Sequence, residues 1–441
     1  MITSQSIRPT SKLALFRSLL LTFACVLPAV ILRVGGFPLN PVLSMLAFGA
    51  AVVAASFVLA WAAESAQIDV SGGLAIAVLA LIAVLPEYAV DLYYAYVAGH
   101  DADYVQYAAA NMTGSNRLLM GIGWPVVVLV GLYVAQKTAA LSTGTAKTGA
   151  NKTQTSKVIS VLPLEAGNRV ELGFLLIAGL VAFIIPATGR IHLALGVAML
   201  AWFAFYLYKM TRGEPEEPEL IGTAAAIGGL PTRARRLMVT LLFIAAGAVI
   251  LMCAEPFADS LIGAGTQLGV DRFLLVQWLA PLASEAPEFI IAIIFASRGK
   301  STAAIATLIA SKVNQWTLLV GSLPIAYLAG GGGTALVLDG RQIEEVLLTA
   351  TQTLMGVALI LSLRFHRNTA WVLLALFLVQ FPITSTTGRL LLCGVYAVLA
   401  AAGLVVNRRH LSATLRAPFV DIDERDATVS CGGPVLVTAV K

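Results

Sequence analysis

The sequence predicts an all-α polytopic membrane protein, and its composition is the first observation that predicts this fold class. Of the 441 residues, 58% are apolar and only 12% are charged, and the mean hydropathy is +0.86. Soluble domains are about half apolar and about a quarter charged. A spanning helix needs about 20 residues, so about twelve spans would take about 240 residues of such a chain. These values exclude intrinsic disorder, collagen-like structure and a secreted disulfide scaffold.

A series of twelve apolar segments, separated by loops of alternating charge, is the second observation. The segments are residues 12–34, 40–63, 71–98, 104–135, 170–187, 190–209, 236–253, 269–297, 302–329, 343–363, 369–383 and 387–406. Basic residues concentrate in alternate loops, and the other loops hold isolated ones such as Arg33, Arg190 and Arg341. The positive-inside rule then places both termini in the cytoplasm, and we expect the cytoplasmic membrane of a bacterium. Because topology explains the formal charge of +5, nucleic-acid binding has no support.

Five regions follow from these segments and loops. The first run of apolar residues has no small-x-small cleavage pattern after it, so we interpret it as an uncleaved helix instead of a signal peptide. Residues 136–169 are rich in Thr, Ser, Lys and Gly and are predicted to form a mobile cytoplasmic loop. The predicted regions are an extra N-terminal helix (1–35), a first half (36–209), a cytoplasmic linker with an acidic run at 214–219 (210–235), a second half (236–385), and an extra helix with a cytoplasmic tail (386–441).

Each half contains a Pro-Glu pair followed by a helix with small and polar residues. The first half has Pro86-Glu87 and then Asn111-Met-Thr-Gly114-Ser115-Asn116. The second half has Ser284-Glu285-Ala-Pro287-Glu288 and then Thr307-Leu-Ile-Ala-Ser311-Lys312. Glu87 and Glu288 are 201 positions apart, and Gly114 and Ala310 are 196 apart. The loop charges give the two Pro-Glu helices opposite directions, so the repeats are inverted, as in many secondary transporters.

The residue types of this repeat suit the binding of hard cations. A proline inside a membrane helix removes a backbone donor and leaves carbonyl oxygens, here near residues 82–83 and 283–284, free to face a cavity. The following glutamate adds a carboxylate, and such oxygens are the ligands of sodium and calcium. Asn111 and Ser115 are four residues apart, as are Thr307 and Ser311, so each pair shares one helix face.

These motifs resemble the alpha-repeats of the cation/calcium exchanger superfamily, whose pattern is roughly G-[ST]-S-x-P-E followed by G-[ND]-x-x-G-S-N in each half. The resemblance implies ten core helices in two inverted five-helix halves, residues about 40–209 and 236–383. The helices at 12–34 and 387–406 would be additions. It also implies a secondary active antiporter that exchanges sodium for calcium by alternating access, with mid-membrane carboxylates as its ion site.

Several positions depart from the family pattern. Ala83 and Val84 replace hydroxyl residues, and Thr307 replaces an Asn or Asp. Lys312 stands where the closing Asn is expected, and Arg117 directly follows the matching Asn116. A buried lysine can substitute electrostatically for one transported cation. Exchange of sodium or potassium for protons, with Lys312 replacing a bound cation, is therefore the alternative function.

The predicted site combines both repeats. The sequence contains no HExxH motif, no G-x-S-x-G motif and no matched Asp pair, so it does not indicate an enzyme. We predict no cofactor, because Na⁺ and Ca²⁺ would be cargo, and we expect small cations and membrane lipid to be the partners. The predicted cation ligands are Glu87, Glu288, Asn111, Ser115, Ser284, Thr307, Ser311, Asp91 and Glu285, with Lys312 and Arg117 tuning the charge.

Overall fold

The computed structural model describes residues 12–69, 84–145, 159–212, 220 and 222–420. In the first part of the chain, apolar runs ended by glycine, proline or polar residues form a series of helices, some of which join end to end into one membrane span. These helices are α1 (Lys12–Gly35), α2 (Pro41–Ala66), α3 (Leu85–Ala98), α4 (Val105–Leu118), α5 (Trp124–Thr145), α6 (Asn168–Val181), α7 (Ile184–Thr188) and α8 (Leu193–Met210). A short 3₁₀ turn, Ala102–Tyr104, precedes α4.

The second part of the chain repeats this helical pattern after a short connecting helix, α9 (Gly222–Gly228). Its helices are α10 (Thr232–Leu268), α11 (Arg272–Ser297), α12 (Ser301–Asn314), α13 (Val320–Ala329), α14 (Gly340–Ile360), α15 (Arg367–Val379), α16 (Thr386–Val406) and α17 (Arg408–Arg416). Ten helices within the described ranges are long and apolar enough to cross a membrane. The predicted all-α polytopic fold class is confirmed.

Among the described residues, four short strands pair into two ribbons at opposite ends of the bundle. They are β1 (Val161–Pro163), β2 (Arg190–His192), β3 (Ala335–Val337) and β4 (Arg364–His366). β1 pairs antiparallel with β4, and β2 pairs antiparallel with β3. The membrane span formed by α6 and α7 separates the two ribbons, because β1 precedes α6 and β2 follows α7. We call the two ends of the bundle the β1–β4 side and the β2–β3 side.

The ribbons also show how the two halves are related. β1 and β3 begin 174 positions apart, as do β2 and β4, yet each strand pairs with a strand of the other half. Equivalent strands therefore lie on opposite sides, which is the result of inverting one half relative to the other. The same inversion is visible in two π-helical turns, Leu119–Gly123 and Gln315–Leu319, which lie 196 positions apart directly after α4 and α12.

The predicted short span at 369–383 corresponds to α15, which has 13 residues. At 1.5 Å per residue it is about 20 Å long, less than the hydrocarbon core of about 30 Å. It nevertheless crosses the fold. It begins after β4 on the β1–β4 side, and α16 then brings the chain back to that side, where α17 packs against α6 at Gly173.

Two predicted boundaries differ from the structure. The segment expected at 236–253 is part of α10, which has 37 residues and ends at Leu268. Polar partners accommodate its later acidic residues, since Glu255 pairs with Arg33 and Asp259 accepts from the hydroxyl of Tyr93 at 3.0 Å. The loop expected at 136–169 is partly regular, because α5 continues to Thr145 and β1 lies within it. The acidic run at 214–219 and residues 82–83 lie outside the described residues.

The longest helix, α10, packs along α2 and connects to it through an ion pair at the β1–β4 end. Arg235 donates to both carboxylate oxygens of Asp69, at 2.7 and 2.9 Å, and Arg236 donates to one of them at 3.1 Å. These hydrogen bonds lower the pKa of Asp69 to about 2. The pairing joins the loop after α2 to the first turn of α10.

We predict that this ion pair makes the stability of the fold depend on pH in an acidic window. The folded pKa of Asp69 is about 2, whereas an unfolded Asp has a pKa of about 3.9. The stabilisation is complete above about pH 4 and is lost as the pH falls towards 2. Thermal unfolding of the detergent-solubilised protein should show a gap between wild type and Asp69→Asn at pH 5 that closes as the pH falls. In the matched control Asp103→Asn, which changes an exposed acid, an equal pH-dependent gap would contradict the prediction.

Candidate cation-binding site

The two Pro-Glu motifs lie at matching positions but start from different local structures. Pro86 is in the first turn of α3, where its missing N–H removes no helical hydrogen bond. Pro287 lies inside α11, where it does remove one. In both helices the glutamate follows directly, and Glu87 and Glu288 interact electrostatically across the bundle.

A cavity of about 50 Å³ lies between α2, α3 and α11. It is towards the β1–β4 side, because its α2 residues belong to the half of that helix that ends at Ala66. Both Pro-Glu motifs contribute to its wall, and so does a serine that the sequence motifs did not indicate. The lining residues are Ser56, Ala60, Val84, Pro86, Glu87, Ser284, Glu285, Pro287 and Glu288.

The most enclosed part of the site is formed by Glu87, Glu285, Ser115 and Gln315. All four side chains are buried. Gln315 Nε2 donates to Glu285 Oε1 at 2.7 Å, and Ser115 lies beside both carboxylates. Glu87 Oε1, Glu285 Oε2 and the Ser115 hydroxyl have no hydrogen-bond partner among the described residues. These are oxygen atoms of the types that calcium and sodium bind.

A second pair is formed by Asp91, one helical turn after Glu87 on α3, and Asn111, one turn before Ser115 on α4. Both side chains are completely buried and are close enough to interact. Within the described part of the chain, both carboxylate oxygens of Asp91 and both amide atoms of Asn111 lack a hydrogen-bond partner. Buried polar groups are normally paired, and the oxygen atoms of this pair are of the types that bind hard cations.

The second repeat provides a different set of polar contacts. Ser311 donates to Glu288 Oε2 at 2.9 Å, so this predicted pair is brought together at the edge of the cavity. Ser284 lines the cavity, but its hydroxyl donates to carbonyl oxygens of its own helix, at Ala280 and Pro281. Thr307 is not brought to these carboxylates. It is exposed, and its hydroxyl donates to the backbone carbonyl of Ala303.

Lys312 is fully buried between the repeats. Its ammonium donates to Asn116 Oδ1 at 2.9 Å and also to the backbone carbonyl of Asn116. It lies 5.9 Å from the centre of the Trp316 ring, and it interacts electrostatically with Glu285 and Glu87. Lys312 therefore lies near Glu285 and Glu87, as the predicted charge-tuning role requires.

Arg117, the other predicted charge-tuning residue, has a different partner. Its guanidinium forms an ion pair with Glu345 of α14 and donates to Gln380 at 3.0 Å. Glu345 also accepts from Arg389 at 2.9 Å and from Gln277 at 3.1 Å. Arg117 thus joins α4 to α14 and to the end of α15 instead of neutralising the Pro-Glu carboxylates, and Arg389 joins α16 to the same glutamate.

The charge balance of the site follows from this placement. We call Glu87, Asp91, Glu285 and Glu288 the acidic cluster. Since Arg117 is paired with Glu345, Lys312 is the basic residue that electrostatically balances the cluster, and three negative charges remain if every group is ionised. The described acidic residues do not converge on one point as a ready-made metal centre. They are distributed along the cavity and the two motif helices, as suits ions that pass through.

A comparison with protein families explains this arrangement. The family model described as "Sodium/calcium exchanger protein" matches residues 39–212 and 238–384. The match covers most of the chain and both repeats. The chain belongs to this family. Among curated proteins, none matches the chain.

Solved structures of exchangers share this fold. The structure described as the H⁺/Ca²⁺ exchanger CAX is 38% identical, with 92% of this chain and 98% of that chain covered and a TM-score of 0.83. The structure of native YfkE is 17% identical, with 86% and 99% of the chains covered and a TM-score of 0.56. The latter likeness concerns the fold alone. The predicted membership of the cation/calcium exchanger superfamily is confirmed.

The structure adds exchanger residues that the motifs did not indicate. Gln315 is four residues after Ser311, so helical spacing was a usable signal for it. Ser56 had no such signal, because a lone serine in an apolar helix is common and only the packing of α2 brings it to the cavity. Glu345 lies in α14, outside both motifs, and its pairing with Arg117 depends on long-range packing.

The close crossing of α4 and α11 brings the two repeats of the exchanger together. Gly114 of α4 lies against the backbone of Gln277, where a Cβ atom would overlap the Gln277 carbonyl oxygen. The side chain of Gln277 also donates to Thr113 at 3.1 Å. The absence of a side chain at Gly114 therefore sets the distance between the helices that carry Ser115 and Glu285.

We predict that Gly114→Ala destabilises the exchanger by about 1–3 kcal/mol or more, the cost of overpacking against an immobile backbone. The matched control is Gly394→Ala in α16, where an added Cβ atom meets open space. Thermal unfolding of the two purified variants would measure the difference. Equal unfolding temperatures for both variants would show that α4 and α11 do not need this contact.

Proposed function

We propose that this exchanger moves calcium ions in exchange for protons by alternating access. We place it in the bacterial cytoplasmic membrane with both termini in the cytoplasm, on the basis of the loop charges. The observation that carries the proposal is the acidic cluster, in which Glu87 Oε1, Glu285 Oε2 and both carboxylate oxygens of Asp91 lack hydrogen-bond partners among the described residues.

The charge of the acidic cluster supports an exchange between a divalent cation and protons. Burying an uncompensated carboxylate is costly, so ionised groups in such a site need a counter-charge. Lys312 supplies one positive charge and leaves three negative charges when every group is ionised. One Ca²⁺ compensates two of these three, and protons bound to the same carboxyl groups compensate them equally. Two ligands that compete for one set of groups are the requirement for antiport, because each state of the carrier then moves only one of them.

The similarity to a known exchanger supports the choice of proton as the counter-ion. The structure that is 38% identical over 92% of this chain is described as an H⁺/Ca²⁺ exchanger. The first repeat lacks the hydroxyl that the family pattern has before its Pro-Glu pair, since Val84 occupies that position. In the second repeat the Ser284 hydroxyl is bonded within its own helix. A sodium ion would lose these neutral oxygen ligands, so their loss favours protons.

The position of the cavity supports one end state of alternating access. The cavity lies towards the β1–β4 side, where the adjoining loops carry Arg169, Arg212 and Arg233. The positive-inside rule assigns this side to the cytoplasm. We therefore interpret the structure as an inward-facing state, in which α2 borders the open side of the site.

Sodium/calcium exchange is the second candidate function, and the description of the matching family favours it. The original expectation of sodium as the counter-ion stays a prediction. The two candidates differ only in the ion whose gradient drives calcium. Proteoliposomes with separately imposed sodium and pH gradients therefore distinguish them, and they also detect sodium or potassium exchange for protons without calcium movement.

We expect labelled calcium to enter proteoliposomes when an opposing pH gradient is imposed and not when only a sodium gradient is imposed. Glu285→Gln removes a charged ligand and should weaken calcium transport about 10- to 100-fold, from about 1.5–3 kcal/mol per charged interaction. The control Glu165→Gln makes the same change at an exposed loop residue and should transport normally. Uptake driven by sodium alone would establish the second candidate, and proton movement without calcium would exclude both calcium functions.

A pair of hydroxyl variants tests which residues contact the ion. Ser115 is buried beside two carboxylates, so Ser115→Ala should raise the calcium Kd about 5- to 10-fold, equivalent to about 1 kcal/mol for one lost ligand. Thr307 is exposed and bonded within its own helix, so Thr307→Ala should change the Kd less than 2-fold. Calcium titration of the purified variants by calorimetry measures both values. An equal effect of the two substitutions would contradict the site geometry.

A further inference from the structure

The contact between Lys312 and Asn116 joins equivalent positions of the two repeats. The two residues are 196 positions apart, the same offset that separates the π-helical turns after α4 and α12. Both are completely buried. An inverted repeat brings equivalent residues together only near its pseudo-two-fold axis, so this pair lies at the centre of the exchanger. Here one of the two equivalent residues is a cation.

The ammonium of Lys312 is held by the kinds of groups that bind a monovalent metal ion. It donates to the carbonyl oxygen and to Oδ1 of Asn116, and its attraction to Glu285 and Glu87 adds negative potential. The Trp316 ring lies at 5.9 Å, within the range of a cation–π interaction. Carbonyl, amide and carboxylate oxygens are also the ligands of sodium.

The amide of Asn116 is fixed in the orientation that this arrangement requires. Its Nδ2 atom donates to the carbonyl of Met112 at 3.0 Å, so Oδ1 is directed to Lys312. Without a cation, two buried oxygen atoms would lose their donor, which costs more than a neutral hydrogen bond contributes. Asn116 therefore needs a hydrogen-bond donor or a bound cation at this position, and the ammonium of Lys312 is both.

We propose that the tethered ammonium of Lys312 occupies a monovalent-cation subsite between the repeats and thereby excludes sodium from the transport cycle. The inference rests on the proposed calcium/proton exchange and deepens it, because it names the residue that determines the counter-ion. A lysine cannot leave with the substrate, so the charge that it supplies is constant throughout the cycle. A sodium ion at the same subsite would be released and would be coupled to calcium.

Two substitutions separate the space that Lys312 fills from the charge that it carries. Lys312→Ala removes the charge and leaves room beside the Asn116 oxygen atoms. Lys312→Met removes the same charge but keeps most of the volume, since methionine is an unbranched side chain of similar length. Lys312→Asn is a second variant that leaves room beside the Asn116 oxygen atoms, and we call these two the opening variants. Asn116 itself shows that the equivalent position of the other repeat accommodates an asparagine.

The first readout is sodium binding to the purified protein. Unfolding temperatures would be measured in sodium chloride and in choline chloride at equal ionic strength. A ligand at 100 times its Kd stabilises the folded state by about 2.7 kcal/mol. We expect sodium to raise the unfolding temperature of Lys312→Ala and Lys312→Asn, and to leave wild type and Lys312→Met unchanged.

The second readout is calcium flux in proteoliposomes with a sodium gradient at constant pH. We expect calcium uptake by Lys312→Ala to respond to this gradient at least 5-fold, and wild type and Lys312→Met not to respond. If sodium changes neither the unfolding temperature nor the calcium uptake of Lys312→Ala and Lys312→Asn, the proposed subsite is wrong. It is also wrong if Lys312→Met gains sodium binding to the same extent. If wild type itself takes up calcium on a sodium gradient, the proposed function fails together with the inference. If wild type uses protons and the variants ignore sodium, only the inference fails.

Discussion

The cost of holding carboxylates away from water is the constraint on which this structure depends. A charged group in the middle of a bilayer is tolerated only where partners, water or ions compensate it. The protein concentrates Glu87, Asp91 and Glu285 in one buried region and leaves several of their oxygen atoms without protein partners among the described residues. The charge of the cluster therefore needs compensation by cations or by protons.

The inverted repeats supply the geometry that such a cluster needs. Each repeat contributes one Pro-Glu helix and one helix of small and polar residues, and the close approach at Gly114 brings the two halves together. The ribbons β1–β4 and β2–β3 connect the halves on both sides of the bundle. Two equivalent halves can exchange their conformations, so a site at their junction can face either side of the membrane in turn.

The repeats have diverged in the residues that carry charge. The first half supplies the Asp91–Asn111 pair, whereas the second supplies Glu285, Gln315 and Lys312. Outside the family match, α16 contributes Arg389, which contacts Glu345 and so supports Arg117. The added C-terminal helix thus takes part in fixing α4, the helix that carries Ser115.

The sequence by itself determined the fold class and the inverted repeat and singled out Glu87 and Glu288, because hydropathy, loop charge and a repeated Pro-Glu motif are local or periodic signals. It also indicated Asp91, Glu285 and Lys312 as unusual charges inside the membrane. Only the tertiary structure decided which of these charges meet. Arg117 is paired with Glu345, Thr307 is turned away from the cluster, and Ser56 and Gln315 lie at or beside the cavity, because these relations depend on how distant helices pack. Spacing along one helix specifies a shared face, but it does not specify which helix that face will contact.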